Sequence, residues 1–440
     1  MNLSGKKVAI IGAARSGQAA ARLVHKLQGK PRISEQGSSA LAENNFLSWA
    51  KEHEIPMEWN GHTKNFIENS DLVVLSPGVR IDAVPAQWAK AKGIPVIGEI
   101  ELAAQLCRRP IIAVTGSNGK TTVVTLIARI LEKAGKRVRL CGNVGFPFCD
   151  YVLDLDNVDY IVLEISSFQL ETIVDFKPHV AVLLNISQNH LDRHQDLEEY
   201  FSAKKRIFEN QDRHDHAILN AGHERLKNLA PLLKSSVSFF NIPSASRQDF
   251  PDQWQAETQL KEMLLKQNQP VNPNFLAAGR VAQVLGVGVD VCQNVFATFP
   301  GVEHRMEKVR TIDGIDFVND SKATTAEAGR WAIENIHQPI VMICGGRDKN
   351  IDFTVLTDLV RKKVKRMIVI GEAKAKLKKS FAACVEIEEC GGMEEAVSRA
   401  RMMASPGDCV LLSPMCASFD MFKNFEERGK VFKEIVKGLN

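Results

Sequence analysis

Short apolar runs alternate with amphipathic segments along most of the 440-residue chain. The apolar runs predict β-strands at residues 7–11, 72–76, 111–115, 160–164, 180–185, 340–344, 367–370 and 409–413. Strands that alternate with helices are typical of parallel α/β sheets. Many of the runs end in Gly, Ser, Thr, Asn or Glu, and open α/β sheets bind their ligands at that carboxyl edge. The pattern therefore predicts an α/β protein with binding sites just beyond its strands.

The strongest chemical signal is the sequence T-G-S-N-G-K-T between a predicted strand and a predicted helix. A helix start offers unpaired N–H groups and a positive dipole end, which together bind phosphate. Gly116 and Gly119 allow close backbone approach, while Lys120 can reach the β and γ phosphates of ATP and the Thr121 hydroxyl can bind Mg²⁺. The standard pattern G-x-x-x-x-G-K-[ST] is not matched literally, because Val114 stands at its first glycine. The order of the parts favours a triphosphate site over a chance glycine turn.

A second glycine turn, G-A-A-R-S-G at residues 12–17, follows the first predicted strand. It is similar to the dinucleotide fingerprint G-x-G-x-x-G, but Ala14 replaces the middle glycine. Glu35 lies about 20 residues on, where such folds place a ribose-binding acid. Ser76 and Gly78 form another turn beyond a strand. A nucleotide that is not a redox cofactor fits this region as well as NAD does, and a turn without a ligand is the alternative.

Three groups of residues suggest metal or charge chemistry in the middle of the chain. Glu164 closes an apolar strand and is either a Mg²⁺ ligand or a helix-capping or surface acid. His190 and His194 are four residues apart, but leucine rather than glutamate follows His190 and no third ligand is evident, so a zinc site is disfavoured. Lys204 and Lys205 lie on a predicted helix, and spacing alone singles out neither of them.

Three glycine-rich or polar turns follow strands, near residues 12–17, 115–121 and 344–349. One sheet rarely needs three such sites, so we infer three domains at 1–98, 99–301 and 302–440. The predicted fold class is α/β, with a Rossmann-like domain at each end and a central P-loop-type ATPase domain that has a mostly parallel sheet. The polar, weakly periodic stretch 242–270 predicts an irregular connection inside the central domain.

Composition narrows the class of protein. The net charge of +4 is small for this length and argues against nucleic-acid and membrane partners. The nine cysteines contain no C-x-x-C pair, which indicates reduced thiols in a reducing compartment. The amino terminus runs straight into an apolar strand without a cleavable signal, and no apolar run reaches the roughly 18 residues of a membrane span. We therefore expect a soluble cytoplasmic protein.

Several motifs, taken together, resemble those of the Mur ligase family. T-G-S-N-G-K-T (115–121), L-E-I-S-S-F-Q-L-E (163–171) and N-x-x-x-N-H-L-D (185–192) have the family's order and spacing. The carboxyl-terminal third adds G-V-E-H-R-M-E (301–307), N-D-S-K-A-T (319–324), C-G-G-R-D-K (344–349) and S-P-M-C-A-S-F-D-M-F-K-N-F-E-E-R-G (413–429). The last motif and D-S-K-A-T are similar to those of the members that add D-glutamate. Only 242–271 departs clearly from the family.

The resemblance implies that the chain ligates D-glutamate to UDP-N-acetylmuramoyl-L-alanine through an acyl phosphate, giving ADP and phosphate, in peptidoglycan precursor synthesis. It implies a cytoplasmic monomer that uses ATP and two Mg²⁺ ions. Its catalytic residues would be Lys120, Glu164, His190 and Lys204. Its metal ligands would be Thr121, Glu164, His190 and Lys204 as a carbamate.

The resemblance also assigns the binding residues of the three substrates. The ATP contacts would be Gly116, Ser117, Asn118, Gly119, Lys120, Thr121, Thr122, Asn274, Arg305 and Asp320. The UDP-sugar, bound in the first domain, would contact Arg15, Ser16, Glu35, Ser76, Gly78 and Asn143. The D-glutamate pocket of the third domain would contain Lys322, Thr324, Lys349, Ser418, Phe419 and Phe425.

Three features depart from the family's pattern, and three other functions stay open. Residues 267–271 replace the family's G-x-H-N stretch before the helix, where only Asn274 clearly matches. Asn189 stands where the family commonly has an acid, and Arg15 stands where an apolar residue is frequent, so Arg15 would add a uridine or pyrophosphate contact. The nearest alternative is another Mur ligase or a folylpolyglutamate-type amide ligase. A nicotinamide-dependent dehydrogenase and a regulatory ATPase are more distant alternatives.

Overall fold

The computed structural model of the protein describes residues 1–39, 42–187, 194–266, 272–348 and 351–439. The chain divides into two compact units, Met1–Phe299 and Pro300–Asn440. Unit 1 contains two β-sheets and unit 2 contains one, and each sheet is built mainly of parallel strands. No helix in the described residues is both long and apolar enough to cross a lipid bilayer.

The first sheet of unit 1 has five parallel strands. Its strands are β1 (Lys7–Ile11), β2 (Lys30–Ser34), β3 (Met57–Glu58), β4 (Leu72–Leu75) and β5 (Val96–Gly98). Its helices are α1 (Arg15–Lys26), α2 (Asn44–Glu52), α3 (Lys64–Glu68), α4 (Val84–Ala91) and α5 (Glu99–Ala104). The strand order β3-β2-β1-β4-β5 places a topological switch point beside β1, and such points form ligand crevices.

The second sheet of unit 1 has six parallel strands. Its strands are β6 (Ile111–Thr115), β7 (Val138–Gly142), β8 (Tyr160–Glu164), β9 (Val180–Leu183), β10 (His216–Asn220) and β11 (Ser236–Phe240). Its helices are α6 (Lys120–Lys133), α7 (Ser167–Leu170), α8 (Leu197–Lys205), α9 (Glu224–Lys227), α10 (Pro251–Lys266), α11 (Pro273–Val284) and α12 (Val289–Thr298). The order β11-β10-β9-β6-β8-β7 puts β6 between β8 and β9, so their carboxyl ends share one edge.

The expectation of an irregular connection at 242–270 is wrong for most of that stretch. Residues Pro251–Lys266 form the 16-residue helix α10. Leu260 and Leu264 are buried, and the Leu260 methyl groups lie so close to α11 that a Cβ at Gly279 would come within 2.8 Å of them. Because most other positions on α10 are polar, tertiary packing rather than a strong apolar period defines this helix.

The sheet of unit 2 has six strands, of which only the first is antiparallel to its neighbour. Its strands are β12 (Glu307–Ile312), β13 (Ile315–Asn319), β14 (Ile340–Gly345), β15 (Val364–Ile370), β16 (Glu386–Glu389) and β17 (Cys409–Leu412). Its helices are α13 (Ala326–Asn335), α14 (Thr357–Lys363), α15 (Lys374–Phe381), α16 (Met393–Met403) and α17 (Phe425–Gly438). The order is β12-β13-β17-β14-β15-β16.

All nine cysteines lie in the described part of the chain, and none forms a disulfide. Seven of them are buried, and burial raises the pKa of their thiols where a shift is seen, as at Cys344 and Cys292. The two half-buried cysteines are Cys107 in unit 1 and Cys384 in unit 2. The structure therefore agrees with the prediction of reduced thiols.

Candidate functional site

The phosphate loop lies between β6 and α6 in unit 1, and α6 begins at Lys120. The Lys120 ammonium donates to the carbonyl oxygens of Gly116 (2.8 Å) and Ser117 (2.9 Å), so it folds back over the loop. Thr121 is buried and Thr122 half-buried in the first turn of α6. The helix start and the lysine thus face the space above the same loop, as an anion-binding site requires.

The segment that follows β9 holds the phosphate loop in place. The Asn118 N–H donates to Asn185 Oδ1 (2.9 Å), and Asn185 Nδ2 donates back to the Asn118 carbonyl oxygen (3.1 Å). The Ser187 N–H donates to Ser117 Oγ (2.9 Å). These contacts fix the loop's backbone before any ligand binds, which reduces the ordering cost of binding.

Gly119, the residue before α6, combines a left-handed backbone with close packing. Its φ is +87°, and a Cβ there would lie 2.2 Å from Oδ1 of Asn274. We expect Gly119→Ala to weaken the binding of a non-hydrolysable ATP analogue at least about tenfold, because the loop must shift to relieve both strains. Isothermal titration calorimetry measures this affinity.

Gly135 is the matched control for Gly119. It also has a left-handed backbone, with φ of +78°, but nothing lies within 4 Å of a Cβ at that position. Gly135→Ala should cost about 1 kcal/mol of stability without changing the affinity for the analogue. Equal affinities of both variants and the unchanged chain would contradict the assignment of Gly119 to the nucleotide loop.

Glu164 and Lys204 are both buried near the same edge of the sheet. Glu164 is 2% exposed, and its Oε1 accepts from Asn143 Nδ2 (2.8 Å). Its Oε2 is buried and has no hydrogen-bond partner among the described residues. A buried carboxylate oxygen without a partner is costly, and a bound cation would satisfy it.

Lys204 is 1% exposed on α8, in contrast to its exposed neighbour Lys205. Its ammonium donates to Thr115 Oγ1 (3.3 Å) and lies 4.7 Å from the centre of the Tyr200 ring. Burial, followed by the charge of Lys120, lowers the pKa of Lys204 well below its usual value, and Glu164 partly opposes this. Both causes favour the neutral amine more at this position than at an exposed lysine.

The predicted Mg²⁺ ligands Thr121, Glu164 and Lys204 belong to three elements that end or begin at this edge. His190 lies outside the described residues. The described residues contain no group of three or more His, Cys, Asp and Glu side chains that could hold a metal ion. The orphaned oxygen of Glu164 and the hydroxyl of Thr121 are nevertheless the oxygen donors that Mg²⁺ prefers, so these residues fit a hard cation.

The amino-terminal turn has the compact geometry of a nucleotide-binding turn. A Cβ at Gly17 would lie 1.9 Å from the Gly12 carbonyl oxygen, so α1 packs directly on the turn. Ser76 Oγ donates to the same oxygen (3.0 Å). Glu35 accepts from the N–H groups of Ala13 (2.7 Å) and Gly37 (2.8 Å) and joins the ends of β1 and β2. These contacts bring Glu35 and Ser76 to one crevice.

The remaining predicted UDP-sugar residues lie around that crevice. Arg15 is exposed at the start of α1 and donates to the carbonyl oxygen of Gly145, and Ser16 follows it half-buried. Gly78 is exposed beyond β4. Asn143 lies exposed just after β7, with its amide on Glu164. The segment that contains Asn143 and Gly145 therefore contacts both the amino-terminal turn and the acid of the second sheet.

In unit 2, Asp320 follows β13 and is 4% exposed. It accepts from Ser413 Oγ (3.1 Å) and from the Met306 N–H (3.2 Å). Burial raises the pKa of Asp320 to about 7, against the lowering effects of Ser413 and then Arg305. The Arg305 guanidinium lies 5.8 Å from the ring of Trp331.

Four of the five described D-glutamate candidates lie in loops of unit 2, and the fifth, Phe425, begins α17. The ammonium of Lys322 lies 5.4 Å from the ring of Phe425, the first residue of α17. Ser418 is buried, whereas Phe419 is 58% exposed. Thr324 is half-buried. Lys349 lies outside the described residues.

Arg428 is a structural residue of this region that sequence reasoning missed. It is 1% exposed, and its guanidinium donates to Ser321 Oγ (3.0 Å), the Ser321 carbonyl oxygen (2.9 Å) and the Cys416 carbonyl oxygen (3.1 Å). It thereby joins the D-S-K-A-T and S-P-M-C segments. The motif E-E-R-G contains this arginine, but no spacing signal shows that it is buried.

Comparisons with known families agree with the position of these motifs. A family model described as Mur ligase middle domain matches residues 114–279. A second, described as Mur ligase, glutamate ligase domain, matches residues 304–416. The two matches cover the phosphate loop and most of the segments of unit 2 described above.

Relatives similar along the whole chain include three proteins named UDP-N-acetylmuramoylalanine--D-glutamate ligase. That of Koribacter versatilis is 39% identical, over 100% of this chain and 99% of its own. That of Thermoanaerobacter sp. (strain X514) is 39% identical over 100% of both chains. That of Acidobacterium capsulatum is 40% identical, over 99% of this chain and 97% of its own.

Solved structures share the fold at low sequence identity. MurF ligase from Thermotoga maritima, in complex with ADP, has a TM-score of 0.59 at 14% identity and covers 99% of this chain and 96% of its own. UDP-N-acetylmuramate-alanine ligase MurC from Thermotoga maritima has a TM-score of 0.55 at 16% identity, with 98% and 99% covered. The predicted α/β fold class is confirmed by these likenesses.

Proposed function

The chain belongs to the family of UDP-N-acetylmuramoylalanine--D-glutamate ligases, and on this premise we propose that it joins D-glutamate to UDP-N-acetylmuramoyl-L-alanine with the conversion of ATP to ADP and phosphate. The product is a peptidoglycan precursor. The observation that supports this chemistry most directly is the convergence of Lys120, Glu164 and Lys204 at one edge of the sheet, where the charges of Lys120 and Glu164 both act on Lys204.

The reaction needs activation because a carboxylate does not react with an amine at neutral pH. Transfer of the γ-phosphoryl group of ATP to the carboxylate of the UDP-sugar forms an acyl phosphate. The D-glutamate amine then attacks the acyl carbon, and phosphate leaves with the bonding electrons. Two anions must meet in the first step, so the site has to neutralise negative charge.

The residues of unit 1 supply this neutralisation. Lys120 would leave the carbonyl oxygens of its own loop and donate to the β and γ phosphates. The start of α6 points its unpaired N–H groups at the same phosphates. Thr121, Glu164, His190 and Lys204 would hold Mg²⁺, which spreads the phosphate charge when bound. The remaining ATP contacts of unit 1 in this proposal are Gly116, Ser117, Asn118, Gly119, Thr122 and Asn274, and unit 2 would add Arg305 and Asp320.

The two other substrates would use the crevice of the first sheet and the loops of unit 2. Glu35 and Ser76 line the crevice, with Arg15, Ser16, Gly78 and Asn143 as further UDP-sugar contacts. Lys322 and Lys349 carry positive charge suited to the carboxylates of D-glutamate. Thr324, Ser418, Phe419 and Phe425 complete that proposed pocket.

In this proposal each of the three domains binds one substrate. Residues 1–98 bind the UDP-sugar, 99–301 bind ATP and 302–440 bind D-glutamate. Two Mg²⁺ ions are proposed. The phosphates of ATP offer one set of oxygen ligands, and Glu164 with the carbamate proposed on Lys204 would offer another. We place the enzyme in the cytoplasm, since nucleotide sugars and ATP are cytoplasmic metabolites. We propose that it acts as a monomer.

Phosphate release by the purified chain tests the proposal. We expect release with Mg-ATP and UDP-N-acetylmuramoyl-L-alanine to depend on D-glutamate within a panel of D- and L-amino acids. Release that depends on another amino acid would favour a different Mur ligase. Release that ignores every UDP-sugar and amino acid would contradict ligase activity and favour a regulatory ATPase.

A further inference from the structure

The segment 143–150, which we call the bridging segment, is held at three separate points. At its start, the Asn143 N–H donates to the Glu164 carbonyl oxygen (2.9 Å) and Asn143 Nδ2 donates to Glu164 Oε1 (2.8 Å). In its middle, the Gly145 carbonyl oxygen accepts from Arg15. Near its end, the Cys149 N–H donates to Glu99 Oε1 (2.7 Å). One short segment therefore contacts the proposed UDP-sugar turn and a proposed Mg²⁺ ligand.

Glu99 is the only one of these three anchors without a proposed role in the reaction. It is 2% exposed at the first position of α5, directly after β5. Its backbone carbonyl oxygen accepts from the Cys149 thiol (3.5 Å), so both its side chain and its backbone hold the same residue. Its Oε2 is buried and has no hydrogen-bond partner among the described residues. A buried carboxyl oxygen without a hydrogen-bond partner lowers the stability of the folded chain, so the retention of Glu99 calls for an explanation.

We propose that Glu99 is a positioning residue, which holds the bridging segment so that Gly145 meets Arg15 and Asn143 orients Glu164. The inference rests on the proposed function, in which Arg15 faces the UDP-sugar and Glu164 holds Mg²⁺. Glu99 touches neither substrate nor metal in this proposal. It acts through Cys149, and its effect should reach both ends of the bridging segment.

Glu101, two residues further along α5, is a buried acid of the same helix whose contacts are purely structural. It is fully buried, and its carboxylate accepts from the N–H groups of Val174 (2.8 Å), Asp175 (3.0 Å) and Phe176 (3.0 Å). Gln105 Nε2 also donates to it (2.7 Å). Four donors satisfy Glu101, and none of them belongs to the bridging segment. Glu101 is therefore the matched control for Glu99.

Burial makes the charge state of Glu99 sensitive to pH near neutrality, and three titratable groups face its carboxyl group. They are the Cys149 thiol and the Asp150 carboxyl on the bridging segment, and the Cys141 thiol on β7. Burial raises the pKa of Glu99 to about 7, against the hydrogen bonds from Cys149 that lower it. The folded chain therefore keeps a proton there that the unfolded chain releases near the usual pKa of 4.5, so this contribution to stability is lost as pH rises from about 4.5 to about 7.

Glutamine at position 99 imitates the protonated acid, because it is neutral and its Oε1 can still accept from Cys149. The hydrogen bonds from Cys149 lower the pKa of Glu99, so they are stronger to the ionised carboxylate, and the unchanged chain should hold the bridging segment more firmly once Glu99 ionises. The glutamine variant cannot gain this hold, so the ratio of its kcat to that of the unchanged chain should fall about threefold or more between about pH 6 and about pH 8.5. The ionisation of the substrate amine cancels in this ratio.

Three variants and two readouts test the inference. Isothermal titration calorimetry measures the affinity for UDP, which reports on the turn at Arg15 and requires no catalysis. Phosphate release measures kcat. Glu99→Ala should weaken UDP binding and lower kcat by about tenfold each, because the Cys149 N–H loses its buried acceptor. Glu101→Gln should lower the Tm and leave UDP affinity, kcat and the pH ratio unchanged.

A lowered Tm in Glu99→Ala with unchanged UDP affinity and kcat would reduce Glu99 to a structural residue like Glu101 and overturn the inference. If Glu99→Ala does not fold, a flat pH ratio for Glu99→Gln overturns it equally. An unchanged chain that binds UDP but forms no amide would refute the proposed function alone, since the UDP affinities of the variants still test Glu99.

Discussion

Replacement of Lys120 by alanine is expected to reduce D-glutamate-dependent phosphate release by about a thousandfold or more. The Lys120 ammonium is the only predicted ATP contact in unit 1 with a full positive charge, and it already lies on the phosphate loop. Its removal takes away the one cationic side chain that the phosphate loop offers to the charge that develops on the transferred phosphoryl group. Steady-state phosphate release, at saturating substrates, measures the loss.

Lys133, at the exposed end of the same helix, is the matched control for Lys120. Lys133→Ala removes the same side chain far along α6 from the phosphate loop and should retain the rate of the unchanged chain. Circular dichroism of both variants confirms that the helix persists. Normal turnover in Lys120→Ala would refute the proposed phosphoryl transfer.

Lys204→Ala should abolish most activity, and short carboxylic acids added to the assay should restore part of it. Burial lowers the pKa of Lys204, which favours the neutral amine that attacks CO₂, forms a new C–N bond and releases one proton. The resulting carbamate is an anion and suits a Mg²⁺ site beside Glu164. A free carboxylate could occupy the space that alanine leaves and supply similar oxygen ligands.

Lys205 provides the control for this experiment, because it is adjacent, carries the same side chain and is exposed. Lys205→Ala should keep full activity and show no response to added carboxylic acids. A carbamate carbon signal in the NMR spectrum of protein equilibrated with ¹³C-labelled CO₂ should disappear in Lys204→Ala and remain in Lys205→Ala. Full activity of Lys204→Ala would disprove a role for this lysine.

The sequence predicted the strands and loops whose signals are local. The predicted runs at 7–11, 111–115 and 160–164 match β1, β6 and β8, because strands covered on both faces are continuously apolar. The phosphate loop follows from glycine and lysine spacing within one strand–helix unit. Membership of the Mur ligases is confirmed, because the motifs that carry it extend over nearly the whole chain.

What the sequence did not predict depends on contacts between distant segments. The apolar side chains of α10 are buried by packing against distant segments such as α11. Lys204 and Lys205 are equivalent in the sequence, and only the fold buries the first. Glu99 acquires its partner Cys149 across 50 residues of chain. Local periodicity contains no information about such partners.

The two half-buried cysteines are sites where spectroscopic labels can be attached to the protein. Cys107 belongs to unit 1 and Cys384 to unit 2, and the other seven thiols are buried. A maleimide-linked dye or nitroxide should react first at these two positions, since only thiols that solvent reaches are modified quickly. The natural chain would then carry one spectroscopic label per unit without engineered cysteines. Resonance energy transfer or electron–electron dipolar coupling between the labels could follow the separation of the units as each substrate is added.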